Sequence, residues 1–126
     1  MAATNFASIS TITPHCKAVI PATTNTRATL LAEPSVGQTH RVNQILVANT
    51  DTATINATLE AYDGTTYNKV GNAIAVPANA TLCIVERETL LYVLNSSDAA
   101  GEIRSLHATS STGGSLTFTI SYETIS

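Results

Sequence analysis

The stretch Val42–Gly64, VNQILVANTDTATINATLEAYDG, decides how the chain is read. Its second half alternates: Ile55, Ala57, Leu59 and Ala61 are apolar, and Thr54, Asn56, Thr58 and Glu60 between them are polar. A period of two is the signature of a half-buried strand. Asn49 to Thr52, "NTDT", is turn chemistry, because Asn and Asp bond their own backbone. Asp63-Gly64 closes the strand, with Gly64 free to take a positive φ. The stretch therefore reads as strand, turn, strand. Slipping its register by one residue would expose Ile55 and Leu59. Further upstream, Ile45 and Val47 fall on one face and Val42, Leu46 and Ala48 on the other. That pattern predicts a strand covered on both sides.

The same grammar runs outward in both directions. "TRATLLAEP" reads as a strand ended by Pro34, and "PSVGQT" as a turn. "GNAIAVPANATLCIVER" reads as a short strand, a Pro-Ala-Asn turn and another strand. There Leu82 and Ile84 share one face, and Cys83 and Val85 the other. "ETLLYVLN" and "EIRSLHA" are further strands, separated by the loop "SSDAAG". "LTFTISYETI" carries the strongest alternation, with Leu116, Phe118, Ile120 and Tyr122 inward. About eight short strands at spacings near 8–12 residues predict an all-β antiparallel sandwich. Periodicity alone leaves jelly-roll and immunoglobulin-like connections both open.

Residues 1–25 differ. They are rich in Ser, Thr, Ala and Asn, carry Pro14 and Pro21, and lack clear periodicity. We read them as an extended N-terminal arm ahead of a sandwich domain, 26–126. Phe6, Ile9 and Ile12 recur every third residue and are the arm's candidate partner contacts.

Composition agrees. The chain has 126 residues, enough for one domain with its own core. Ser and Thr make up roughly a quarter of it, and Thr suits a pleated, half-exposed surface. Charged residues are 12% and the net charge is −3, with no basic run, so a nucleic-acid footprint is missing. No apolar stretch nears the ~20 residues that span a bilayer, and the N-terminus lacks the pattern of a secretory signal. Assembly in a cytosol is the expectation.

Chemistry is sparse. His15, His40 and His107 have no metal-ligand spacing to one another, to Cys or to carboxylates. Cys16 and Cys83 make no paired motif, and both are expected reduced and partly buried. A Cys–His nucleophile needs a base within hydrogen-bond reach, and Cys83, flanked by Leu82 and Ile84, reads as inert packing. Glu86 and Glu88 would share one face of a strand, but without any Trp as a sugar platform they read as a solvated strand end. Asp51, Asp63 and Asp98 read as turn residues, not calcium ligands. Sequons at Asn56, Asn79 and Asn95 read as accidental. No catalytic, cofactor or metal residues are assigned, and the chain reads as a non-enzyme.

Four segments carry a resemblance: "HRVNQILVANTDT…ATLEAYDG", "IAVPANATLCIV", "LLYVLNSSDA" and "FTISYETIS". Together they resemble small structural proteins of tailed bacteriophages, especially of marine and cyanobacterial hosts. The likeness covers Thr26 to Ser126 and leaves 1–25 unexplained. It departs from the family at "SYETIS", where "SYEEIS" is usual, and at "NSSDAAG", where an acidic-Gly element is usual. The resemblance implies a virion component: a capsid decoration (cement) protein, or a neck, tail or baseplate piece. Its partners would be the major capsid protein, or tail or neck proteins, and itself, as a trimer. A glycan-binding attachment module is the alternative from another class.

Overall fold

The computed structural model describes residues 11–97 and 101–126. Nine strands lie among them: β1 (Ile12–Val19), β2 (Ala28–Leu31), β3 (Thr39–Asn49), β4 (Ile55–Tyr62), β5 (Tyr67–Val76), β6 (Thr81–Val85), β7 (Leu91–Leu94), β8 (Ser105–Ser110) and β9 (Leu116–Ile125). All pairs are antiparallel, and the strands form two sheets. One sheet runs β1-β9-β3-β6, with β7 also on β3; the other runs β2-β8-β4-β5. The expected sandwich is what forms. β6 and β7 pair with successive parts of β3 and act as one interrupted strand. Counted so, the order is that of a jelly roll.

The core lies between the inner faces. Ile45, Val47, Leu59, Leu106, Phe118 and Ile120 are among its fully buried members. Ile55, Ala57, Leu59 and Ala61 all point inward, as their alternation predicts. β3 corrects the reading of Val42. The β3–β9 register shifts between Val42 and Gln44, so one residue is extra. Such a bulge turns Val42 to the same side as Ile45 and Val47, and all three are buried. A second shift, at Ile45/Leu46 against β6, has the same result for Val85, which is buried instead of sharing Cys83's exposed face.

The ends of the sheets are tied by polar groups. Asn49, only 3% exposed, donates from Nδ2 to the carbonyls of Ala53 (2.8 Å), Val76 (2.9 Å) and Pro77 (3.2 Å). Its Oδ1 accepts from Asp51 N at 2.9 Å. The end of β3 is thereby fastened to the opposite sheet's β5. The loop after β8 packs against the chain after β1: Gly114 N donates to Pro21 O at 2.8 Å. A Cβ at the neighbouring Gly113 would sit 2.4 Å from Ala22 O, so only glycine fits there.

Candidate interaction surface

β1 is the unusual element. Every residue from Ile12 to Ala18 is exposed; only Val19, which packs against the core, and His15, which lies on a ring of β9, anchor the inward face. β1 is ordered because it pairs with β9 along its whole length. Of the segment 1–25, residues 12–19 are thus a sheet-edge strand. Phe6 and Ile9 lie outside the described residues, and Ile12 opens β1 at 49% exposure.

The alternation of an antiparallel ladder fixes which β1 groups face outward. Thr11 and Ser126 exchange both backbone hydrogen bonds, at 3.2 and 3.0 Å. Counting by twos from that pair, Thr13, His15, Lys17 and Val19 face β9, and Ile12, Pro14, Cys16 and Ala18 turn their backbone away from the sheet. The opposite edge is β6. Asn49 N donates to Ala80 O at 2.9 Å, so Leu82 faces β3, and Thr81 and Cys83 turn outward.

Both cysteines are free and exposed, which corrects the expectation of partial burial. Both stand on the outer face of the same sheet. Ser121 Oγ lies 3.6 Å from Cys16 Sγ, and Gln44 Nε2 lies 3.8 Å from Cys83 Sγ. The strand order places three lateral spacings between them, about 14 Å. A disulfide tolerates at most about 7 Å between Cα atoms, so they cannot bridge within one chain.

β6 and β7 are separated by a 3-10 turn, Arg87–Thr89, entered from Glu86 and left through Leu90. Glu86 and Glu88 therefore do not share a strand face, which corrects that expectation. Leu90 holds a left-handed backbone (φ 54°) and is 63% exposed. That conformation is strained for a bulky L-residue. Beside the turn an open hollow of about 520 Å³ lies over Asn43, Gln44, Cys83 and Ser121. Arg41 and Asn43 both donate to Glu123 Oε1, at 2.8 and 2.9 Å, and hold the Glu123 carboxyl below its usual range.

On the other sheet's outer face Glu60 is buried although its parity points outward. Arg27 folds over it with two bonds, 3.0 and 3.2 Å, and Lys69 approaches to 3.5 Å. Burial alone would raise the Glu60 carboxyl, but the bond and charge of Arg27, then Lys69, outweigh it and leave it lowered. Arg27 also covers the Tyr67 ring at 3.7 Å, and Tyr62 and His107 crowd around that ring.

His15 and Cys16 are neighbours in sequence but lie on opposite faces. His15 stacks on Tyr122 at 4.8 Å, and His40 meets the same ring edge-on at 5.0 Å. Burial, then the charges of His15 and Lys17, push His40 down to about 4. Its Nδ1 is paired with Thr124 Oγ1 at 3.0 Å. A histidine lowered on folding takes up its proton in the unfolded chain first. Its contribution is whole above the ordinary value of about 6.5 and is lost as pH falls from there toward 4. Because the ring is half-exposed, solvent screening reduces the loss to about 1–2 kcal/mol. Urea titrations at pH 7 and pH 4.5 should show it, and His40→Gln should remove part of that difference, the remainder including His107, which burial also lowers. An unchanged difference in the variant would place the acid sensitivity elsewhere.

Among the described residues no group of three or more His, Cys, Asp or Glu converges as a metal site. Asp51 and Asp63 serve turns, accepting from Thr52 N and from Thr65 and Thr66 N. Asp98 lies outside the described residues. Asn95 is committed inside the fold, donating to Pro34 O at 2.8 Å. No helix among the described residues is long and apolar enough to cross a membrane.

The geometry defines the class: a jelly-roll sandwich whose edge strand β1 has a neighbour on one side only among the described residues. No family model matches the chain, and no curated protein matches it. Among solved structures it is similar to a chain from Bacillus endospore appendages, described as disulfide-linked pili. The TM-score is 0.50 and the identity 16%, over 91% of this chain and 87% of that one. A chain of infectious bursal disease virus, Gt strain, is similar at a TM-score of 0.24 and 14% identity. That match covers 89% of this chain but only 37% of the viral one, and it carries no weight. The first likeness bears on the fold alone.

Proposed function

We propose that the chain is a non-catalytic structural subunit of an assembled particle: a tailed-phage virion protein that decorates and stabilises the capsid. The observation that carries this is β1. Its residues 12–18 are exposed, and among the described residues no strand pairs along its outer side; such an edge is left unfinished in a lone molecule, and proteins seldom leave edges open. The phage resemblance names the particle. Binding across neighbouring capsomers stabilises only the assembled shell, by mass action. Modest contacts suffice when repeated over a lattice. The partners are the major capsid protein and other copies of the chain, as a trimer, on the virion surface. Phe6, Ile9 and Ile12 supply the arm's contact.

The test is binding to purified heads lacking this protein. Full-length chain should saturate at hundreds of copies per particle. Deleting residues 1–10 should keep the strand-rich circular dichroism and weaken binding at least ten-fold. A dozen or fewer copies per particle would instead support the neck, tail or baseplate reading. Undiminished binding by the truncated chain would remove the arm contact. The glycan-binding alternative is disfavoured because Arg27 occupies the Tyr67 ring face that a sugar would stack on.

A further inference from the structure

We infer that copies of this chain join head-to-tail by strand addition, with β1 of one copy pairing antiparallel along β6 of the next. The inference deepens the assembly reading and rests on it, naming the occupant of the free edge as a second copy.

Strand direction is the first argument. β1, β9, β3 and β6 alternate in direction, so β1 and β6 run oppositely at the two edges of one sheet. A copy displaced sideways presents its β1 antiparallel to β6, the orientation that makes the more stable ladder.

Register is the second. Opposing Cys16 to Cys83 also opposes Ala18 to Thr81. These are the residues whose backbone groups turn outward on the two edges, so the N–H and C=O groups meet in pairs. Pro14, which has no N–H to give, then falls opposite Val85. There the β3–β6 register has already shifted and β6 ends. The proline limits the ladder without interrupting it. A twofold β1–β1 pairing centred on Cys16 would instead set a proline into both halves of a short ladder.

The remaining edges argue the same way by elimination. β2 has four residues and an irregular register. β5 has two register shifts against β4 and a left-handed Ala73 (φ 49°), irregularities that discourage pairing.

The two thiols, about 14 Å apart within a chain, come within one strand spacing of each other across this seam. They report on it directly. Such an interface is heterologous. It closes as a ring, the expected trimer included, or runs on as a fibre, depending on the rotation per copy.

The test uses full-length protein and diamide, which takes two electrons and two protons from a thiol pair as the S–S bond forms. Wild type should yield covalent multimers whose bridged peptide joins Cys16 to Cys83. Cys16→Ser and Cys83→Ser should each stay monomeric, and an equimolar mixture of the two should give dimers and nothing larger. Ala18→Pro removes an outward donor without touching the ladder to β9. It should cut the cross-linked fraction at least ten-fold with an unchanged circular dichroism spectrum. Wild type that stays monomeric, Cys16–Cys16 or Cys83–Cys83 bridges, or efficient cross-linking by Ala18→Pro would each overturn the seam. Cross-linking without head binding would leave the seam standing and remove the capsid role.

Discussion

Replacing Asn49 by aspartate should cost about 3–5 kcal/mol at neutral pH, the range for stranding a charge inside a protein. The amide has two hydrogens and shares them among the carbonyls of Ala53, Val76 and Pro77. A carboxylate would aim negative oxygens at three carbonyl dipoles in a position almost shut off from water. It would also lose its ordinary acidity, because burial favours the protonated form. The sign follows. The introduced carboxyl would have a folded pKa above its unfolded value of about 3.9. The penalty is whole above the folded value and gone below the unfolded one. The gap to wild type should therefore narrow on acidification. Asn49→Leu leaves the same carbonyls unmet without adding charge, costs about 2–4 kcal/mol, and should keep that gap unchanged by pH. Urea titrations of the three proteins at pH 7 and pH 5 decide the matter. A pH-independent gap for the aspartate variant would mean that position 49 is wetter than described.

Phe118→Ala should cost about 3–5 kcal/mol, the usual range for deleting a buried ring. Among the described residues Phe118 is the largest fully buried side chain, and it sits on β9 opposite Val19 and Val47. The chain has two Phe and no Trp, so its core is built of Val, Leu, Ile and Ala. Those short side chains cannot reach across the space that the ring leaves, and the cavity term persists. A domain of this size has about 5–15 kcal/mol in all, so the variant should be largely unfolded at modest urea. Phe118→Leu, which refills part of the volume, should lose about half as much or less. A loss under about 1.5 kcal/mol for the alanine variant would mean that the sheets close over the gap.

Most strands are legible in the sequence because one face of each is buried. β4 and β9 show it best: Ile55, Ala57, Leu59 and Ala61, then Leu116, Phe118 and Ile120, fall inward on a strict period of two. β1 is illegible for the same reason reversed. With residues 12–18 exposed, nothing in Thr13-Pro14-His15-Cys16 needs to alternate, so a strand and an extended arm spell alike. Parity puts Val42 and Val85 on the wrong faces, because a bulge shifts it by one residue and leaves no mark in composition. Parity also turns Glu60 toward solvent, whereas its burial depends on Arg27, thirty-three positions earlier. The cysteines' shared face and opposite edges depend on strand order, which no local pattern encodes.

The placement of the few charges has a kinetic consequence. Arg27 and Lys69 are turned onto Glu60, and Arg41 onto Glu123, so half of the six cations are neutralised at home, and the net charge is only −3. Little long-range field is left to draw a partner in. Encounter should proceed at the unsteered rate of about 10⁵–10⁶ M⁻¹s⁻¹ and respond weakly to ionic strength. Growth of any assembly would then be governed by local abundance and by how long each docked copy stays.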